Sequence, residues 1–288
     1  MADPAQPDPA TWLQAFDRAA DRVRDRLAAV TATADRLRET GDTGEGGDRT
    51  LVIDAEAEDL IFAELDALHA AGARFTALSE ERGTVDFGSP DALVVIDPID
   101  GSMNAKRGMP HHAVSIALAE GPDVATAGTM ADVVCGLVAD LGPDERWTAI
   151  RGEGAWLDGA PLHGPATERL NADGRLELVA IESAHPRHVM ASGDALLEHV
   201  HRLRAIGAIA ISLCAVAGGR VDGMASLWRC RAFDAAAGQL VVRESGGVVA
   251  FGDLDAPLSA PLDLVGHGPV VAARSAEGLA RVATLPHA

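Results

Sequence analysis

The chain has 288 residues, which fits one large domain or two closely packed ones and is long enough to bury a sizeable core. Its 43 acidic and 24 basic side chains give a formal net charge of −19, and such a surface argues against nucleic acid or an anionic membrane as a general partner. The three widely spaced cysteines form no CxxC pair and the acidic, proline-rich N-terminus has no signal-peptide pattern, so we expect a cytoplasmic protein without a disulfide framework or structural zinc site.

The first half of the chain shows the apolar periodicity of helices and then of short strands. Apolar residues three or four apart predict an amphipathic helix over 11–40, and four glycines predict a loop over 41–50. The remaining elements predicted here are a helix over 55–71 preceded by Asp54, strands over 74–78, 92–96, 113–119, 124–129, 133–138 and 146–150, and turns over 151–162.

The second half alternates strands with helices. Strands are predicted over 176–181, 221–225, 248–251 and 270–273, and helices over 194–201, 207–217, 234–245 and 276–283. The longest uncharged stretch, 205–219, is too short to span a bilayer and indicates a buried helix. We therefore expect a layered α/β architecture in which an N-terminal α+β part (10–152) and a C-terminal α/β part (153–288) form one catalytic unit.

The strongest local motif is VVIDPIDGSMN at 94–104, where an apolar run typical of a buried strand ends in two aspartates. Pro98 stiffens the turn between Asp97 and Asp100, and Gly101 permits close backbone approach by a ligand. A helical turn beginning at Ser102 would offer free N–H groups to a phosphate. Carboxylates beside a phosphate need a neutralising cation, so the motif indicates Mg²⁺-assisted phosphate chemistry. For the DxxDG pattern alone, a solvated Asx-type turn is an equally good explanation.

Other motifs follow in an order that resembles the inositol monophosphatase family, and more closely its archaeal-type fructose-1,6-bisphosphatase/inositol monophosphatase branch. The matching segments are VID at 52–54, SEE at 79–81, DPIDGSMN at 97–104, RLRAIGAIAISLCAVAGGRVDG at 202–223, DAAAG at 234–238 and ESGG at 244–247. The resemblance extends over about 15–285 and implies an alternating α-β-α-β-α sandwich.

The resemblance also implies roles for individual residues. Two or three Mg²⁺ ions, or Mn²⁺ as a substitute, would be held by Glu80, Asp97, the Ile99 carbonyl, Asp100 and Asp234. Asp54 and Ser102, together with Glu80, would serve catalysis by orienting and deprotonating a metal-activated water. Substrate contacts are implied for Gly101, Ser102, His185, Arg187, Gly207, Ala208 and Arg231.

Several positions depart from the family pattern. A lysine common in the loop before Asp54 is missing, since that loop has only Arg49, and the acid that contacts inositol in the animal enzymes is replaced by the acid-free ASLW at 225–228. Arg229 and Arg231 follow, and they would either meet a second anionic group or form surface salt bridges.

Two further segments contain basic residues near the predicted site. Lys106 and Arg107 would either steer an anionic substrate or remain solvated. Pro186 argues against a helix that would bring the His-x-x-His pair at 185–188 together as metal ligands.

The sequence therefore predicts a Mg²⁺-dependent phosphatase that acts on inositol monophosphate, fructose 1,6-bisphosphate or both by direct attack of water. The alternatives are 3′-phosphoadenosine 5′-phosphate or histidinol phosphate as substrate, or a catalytically silent regulator related to the family. The expected partner is a small phosphomonoester, with no nucleic acid and no membrane. A homodimer is expected because family members of this type commonly form one.

Overall fold

The computed structural model of the chain describes residues 6–30, 33–45, 49–164 and 167–287. The strands in these ranges form a two-stranded pair, an eight-stranded sheet and a five-stranded sheet. No helix in the same ranges is long and apolar enough to cross a membrane.

The first half supplies the pair and the larger sheet. Its helices and strands are α1 (Pro9–Ala29), α2 (Thr33–Arg36), β1 (Glu39–Thr43), β2 (Arg49–Leu51), α3 (Val52–Ala70), β3 (Thr76–Ser79), β4 (Gly83–Asp86), β5 (Ala92–Asp100), α4 (Ser102–Lys106), β6 (Ala113–Glu120), α5 (Val124–Ala127), β7 (Val133–Asp140), β8 (Glu145–Ile150), β9 (Gly154–Leu157) and β10 (Ala160–Pro161).

The second half supplies the smaller sheet and the remaining helices. These elements are β11 (Leu176–Glu182), α6 (Pro186–Ala191), α7 (Gly193–His199), β12 (Val200–Arg204), α8 (Ile209–Ala217), β13 (Gly223–Ser226), α9 (Ala232–Glu244), β14 (Val248–Phe251), β15 (Val270–Ala273) and α10 (Ala276–Val282).

The larger sheet has the strand order β10-β9-β8-β7-β6-β5-β3-β4, and its pairs are antiparallel except for β3 with β5. All nine residues of β5 are buried, as its continuous apolar run predicted. The reason is that both faces are covered: α1 and α3 pack on one face, and α9 packs on the other. The DPID segment is therefore held at the end of a fully enclosed strand.

The smaller sheet has the order β12-β11-β13-β15-β14, with β11 parallel to both of its neighbours. Helices α8 and α9 lie between the two sheets and share one apolar core with them. Helices α7 and α10 contribute to a second core on the outer face of the smaller sheet. The layers alternate α-β-α-β-α, which confirms the predicted fold class.

The structure corrects several predicted elements. The helix predicted over 11–40 ends at Ala29, and the loop predicted over 41–50 contains strand residues of β1 and β2. The strand predicted over 124–129 is the short helix α5 (Val124–Ala127), and the turns predicted over 151–162 contain β9 and β10, which extend the edge of β8. The short strands are fixed by pairing with a neighbouring strand and not by their own periodicity. The strands of the larger sheet run to Pro161, beyond residue 152; the domain boundary there stays a prediction.

Candidate active site

A cleft of about 990 Å³ lies where the end of β5 meets α3, α8 and α9. Its walls contain every site residue predicted from the sequence except Arg187. The predicted residues brought together are Asp54, Glu80, Asp97, Ile99, Asp100, Gly101, Ser102, His185, Gly207, Ala208, Arg231 and Asp234. Residues distributed over most of the sequence therefore converge on one surface.

Asp97 and Asp100 stand at the end of β5, where its register with β6 shifts between them. Pro98 has no N–H to donate to the sheet, which explains the break at this point. Asp97 is only 2% exposed, and its carboxylate accepts a hydrogen bond from the Ile99 N–H at 3.0 Å. The Ser102 hydroxyl donates a hydrogen bond to the Ile99 carbonyl at 2.8 Å. This bond fixes the predicted catalytic hydroxyl and the predicted metal-binding carbonyl in the turn.

Gly101 begins the turn that leads into α4, with a φ of +84°. A Cβ at this position would lie 2.8 Å from the His111 carbonyl oxygen and 3.1 Å from that of Gly207. Both the backbone angle and the contact distances therefore require glycine. The amides at the start of α4 have no partner within the helix, because the first N–H groups of any helix point out of it.

Asp54 lies inside the first turn of α3 and not ahead of the helix, as the sequence had suggested. It is 5% exposed, and its Oδ1 atom is buried without a hydrogen-bond partner in the described part of the chain. Burial raises the pKa of the Asp54 carboxyl to about 7, and the nearby Glu81 carboxylate adds to the rise. The side chain can therefore exchange a proton near neutral pH.

Glu80 lies in the turn between β3 and β4, and a buried acid on α3 holds that turn. The carboxylate of Glu58 accepts hydrogen bonds from the Ser79 hydroxyl and from the Arg82 backbone N–H at 3.2 Å. The Arg82 side chain adds an ion pair to Glu58 at 3.0 Å. Glu58 thus restrains the residues on both sides of Glu80 and Glu81.

Asp234 lies in the first turn of α9, close to Arg231 just before the helix. The Arg231 guanidinium is 3.5 Å from the Asp234 carboxylate and 3.2 Å from that of Glu80, and it lies over the Phe233 ring. Arg231 therefore forms ion pairs with two acids of the cleft, a more specific role than either the anion contact or the surface salt bridge considered from the sequence.

Burial and neighbouring carboxylates raise the pKa of two acids of the cleft, Asp97 and Asp100. Burial raises the pKa of Asp97 well above its usual range, with further increases from Glu80, Asp100 and Asp234. Burial also raises the pKa of Asp100, and Asp234 adds to it. An excess of buried negative charge of this kind is relieved by a cation.

The donor set fits a hard divalent cation such as Mg²⁺, which prefers carboxylate and carbonyl oxygens. The unsatisfied Oδ1 atom of Asp54 beside this group is a further buried oxygen without a partner in the described ranges. Within those ranges, no three His, Cys, Asp or Glu side chains are already close enough together to hold an ion. The Arg231 guanidinium contacts two of the predicted metal ligands, Glu80 and Asp234.

The segment after β11 differs from its prediction. Pro186 begins helix α6 instead of preventing it, because proline is well accommodated in the first turn of a helix. The His185 ring caps α6 by accepting the Arg187 N–H at 3.2 Å. Arg187 is exposed and lies outside the cleft wall, whereas His188 lines the cleft and stacks on Trp228.

Two polar residues that hold the loop before α8 against the cleft were not predicted from the sequence. The Asn104 side-chain amide donates to the carbonyls of His111 and Ile206, at 2.8 Å and 2.9 Å, and so joins α4 to the loop before α8. Glu182 is buried behind that loop. The sequence contained one indication of each residue. Asn104 belongs to the DPIDGSMN motif, and Glu182 is a single acid at the end of an apolar strand.

Asp100 joins the two halves of the molecule directly. Its two carboxylate oxygens accept the backbone N–H groups of Ile209 and Ala210, at 3.1 Å and 2.8 Å, at the start of α8. Each oxygen of an ionised carboxylate has a second lone pair, so these bonds leave it able to bind a cation.

Comparison with known proteins relates the chain to the family that its motifs resemble. The profile described as the inositol monophosphatase family matches residues 10–285. The chain is 32% identical over 244 residues to the fructose-1,6-bisphosphatase/inositol-1-monophosphatase of Methanothermobacter thermautotrophicus, with 83% of each chain covered. It is 33% identical over 239 residues to the Nus factor SuhB of Escherichia coli K12, with 81% of this chain and 82% of the relative covered.

A solved structure shows the same fold. The crystal structure of a gene product described as an inositol monophosphatase-fructose 1,6-bisphosphatase matches with a TM-score of 0.78 at 24% identity. The match covers 95% of this chain and 99% of the other.

Proposed function

The chain belongs to the inositol monophosphatase family, and we propose that it uses this cleft to hydrolyse inositol monophosphate, fructose 1,6-bisphosphate or both. Membership makes it a phosphatase, and phosphatases of this family depend on Mg²⁺. The observation that carries the proposal is the convergence of five acids on one cleft, next to a turn that only glycine can form. These acids are Asp54, Glu80, Asp97, Asp100 and Asp234.

We assign the metal-holding role to Glu80, Asp97, the Ile99 carbonyl, Asp100 and Asp234, with two or three Mg²⁺ ions and Mn²⁺ as a possible replacement. Bound Mg²⁺ would supply Lewis-acid activation of water and neutralise the charge of the phosphate. The amide groups of Gly101 and Ser102 would donate hydrogen bonds to the phosphate oxygens. Asp54 would accept a proton from the attacking water, a role supported by its pKa of about 7.

The substrate side of the cleft favours a second anionic group. Leu227 is 1% exposed and belongs to the segment where the animal enzymes use an acid against inositol hydroxyls. Arg229 and Lys106 line the cleft instead. We therefore rank fructose 1,6-bisphosphate above inositol monophosphate. Arg229→Gln should raise the KM for the bisphosphate more than the KM for inositol 1-phosphate, and equal effects on both would contradict this ranking.

The proposed activity is tested by phosphate release in the presence and absence of Mg²⁺. The substrates are inositol 1-phosphate, fructose 1,6-bisphosphate, 3′-phosphoadenosine 5′-phosphate and histidinol phosphate. Asp97→Asn should abolish Mg²⁺-dependent release, because one carboxylate at the centre of the acid cluster is removed. Glu64→Gln is the matched control, since Glu64 is a buried acid that pairs with Arg18 and Arg22 away from the cleft. Unchanged activity of Asp97→Asn would refute the assignment of the metal site.

We further propose a homodimer located in the cytoplasm. The three cysteines are buried and free, which supports a reducing compartment. A monomeric mass measured by light scattering would contradict the dimer. All five acids of the cleft are present, which argues against the alternative role of a silent regulator.

A further inference from the structure

The carboxylate of Glu182 lies at the end of β11, on the inner side of the cleft wall. It is 2% exposed. One of its oxygens accepts the Ser212 hydroxyl at 2.6 Å and the Ile206 N–H at 3.2 Å, and the other accepts the Gly207 N–H at 2.9 Å. Three donors from one short stretch of chain therefore converge on a single buried acid.

The stretch that Glu182 holds is the part of the cleft wall closest to the glycine turn. After the His111 carbonyl oxygen, the nearest atoms that a side chain at Gly101 would meet are the Gly207 carbonyl oxygen and the Ala208 Cβ, at 3.1 Å and 3.2 Å. Gly207 itself has a φ of +83°, a conformation that other residues rarely adopt. The position of the 206–208 segment thus sets the distance between the cleft wall and the proposed phosphate-binding amides.

The same segment is also held from the opposite side, by residues of the first half. Asn104 donates to the Ile206 carbonyl, and Asp100 accepts the N–H groups that follow at the start of α8. The backbone between 206 and 210 is therefore fixed between two carboxylates, Asp100 from β5 and Glu182 from β11. A change at Glu182 would release one side of this arrangement without touching a proposed metal ligand.

Stability does not explain why an acid occupies this position. No ion pair joins Glu182 to an arginine, lysine or histidine in the ranges that the structure describes. Burying a carboxylate without a countercharge is unfavourable, and burial raises the pKa of Glu182 to about 7. The compensation visible in the structure is geometric, since only an acceptor with two oxygens can satisfy all three donors at once.

We propose that Glu182 is a positioning residue, whose carboxylate fixes the Ile206–Ala208 segment against the Gly101 turn and thereby sets substrate affinity. It contacts no substrate itself and acts through the backbone of the segment. The inference rests on the proposed phosphatase function, because it assigns the 206–208 wall to the substrate.

The kinetic test compares Glu182→Ala, Glu182→Gln and Ser212→Ala at pH 8, with whichever of inositol 1-phosphate and fructose 1,6-bisphosphate the wild type hydrolyses faster. Loss of an interaction that positions the substrate equally in the ground and transition states raises KM and leaves kcat unchanged. We expect Glu182→Ala to raise KM about 10-fold or more, since small misplacements of a binding wall have effects of this order. Glu182→Gln keeps one acceptor oxygen and should recover part of the loss. Ser212→Ala, which removes only one of the three donors, should have the smallest effect.

A second readout requires no turnover. Amide hydrogen exchange in the metal-free protein should show faster exchange at Ile206 and Gly207 in the Glu182 variants, with unchanged protection in β5 and α9. Glu64→Gln is the control, because it alters a buried acid far from the cleft and should leave both KM and the exchange at 206–207 at wild-type values.

The possible outcomes distinguish the positioning role of Glu182 from the proposed phosphatase function. A KM change confined to the Glu182 and Ser212 variants, together with local loss of protection, supports the positioning role. Wild-type KM in Glu182→Gln and Ser212→Ala would overturn the proposal even if Glu182→Ala fails to fold, as would wild-type protection at 206–207 or a loss of protection throughout the protein. If the wild type releases no phosphate, the proposed function fails, and the exchange at 206–207 alone decides the positioning role.

Discussion

The carboxyl of Asp54 should destabilise the metal-free protein at the pH where the protein is expected to work. The folded state raises the pKa of this group from 3.8 to about 7. Since its folded pKa lies above its unfolded pKa, its contribution to stability is fully present below pH 4 and is lost as the pH rises through 7. Asp54→Asn, which cannot ionise, should therefore stabilise the metal-free protein at high pH while removing phosphatase activity.

The size of the effect follows from the shift of roughly 3 pKa units, at about 1.4 kcal/mol per unit. Asp54→Asn should increase the free energy of unfolding by at most about 4 kcal/mol at pH 8. At pH 5 the folded carboxyl is already protonated, and only the unfolded state still favours the charged aspartate. The gain should then fall to about 2 kcal/mol.

The assay is urea unfolding in EDTA at both pH values, with free energies from linear extrapolation. Glu64→Gln is again the control: Glu64 is a buried acid with two arginine partners at 2.9 Å, so its amide should lower stability at both pH values. The reasoning is refuted if Asp54→Asn is no more stable than the wild type at pH 8, or if its gain does not shrink at pH 5.

Three shorter predictions concern the neighbouring residues. Arg231→Gln should tighten Mg²⁺ binding several-fold in titration calorimetry without substrate, because Arg231 pairs with acids assigned to the metal; unchanged affinity would contradict this. Gly101→Ala should lower the free energy of unfolding by a few kcal/mol, since its Cβ would lie 2.8 Å from the His111 carbonyl oxygen; a wild-type Tm would be inconsistent with the contact. Glu58→Gln should weaken Mg²⁺ binding about 10-fold, because Glu58 restrains the turn that carries Glu80, and wild-type binding would exclude that role.

The elements that could be predicted from the sequence are those whose residues are buried on a regular pattern. The strand at 92–96 was correctly predicted because both of its faces are covered, which requires a continuous apolar run. The long helix near the N-terminus was predicted for a similar reason, although its end was placed too late. The predictions for the residues of β9 and α5 were wrong. A few residues contain too little periodicity, and their structure depends on neighbours distant in the sequence.

The site was predicted unevenly for comparable reasons. The motif at 97–104 and the acids at 80 and 234 are local patterns, and the structure brings them to one cleft as expected. The ion pairs of Arg231 and the donors around Glu182 join residues far apart in the chain, so no spacing in the sequence indicates them. The N-terminal position of Pro186 in α6 shows a different limit, because proline either ends a helix or begins one according to where the backbone turns.

The most direct measurement is the rate of phosphate release from fructose 1,6-bisphosphate and inositol 1-phosphate by the wild type and by Asp97→Asn, each with Mg²⁺ and with EDTA. We expect release only by the wild type with Mg²⁺, and a rate for Asp97→Asn that EDTA does not change. Release that is independent of Mg²⁺, or that Asp97→Asn retains, would contradict the assignment of the acid cluster as the centre of a metal-dependent phosphatase.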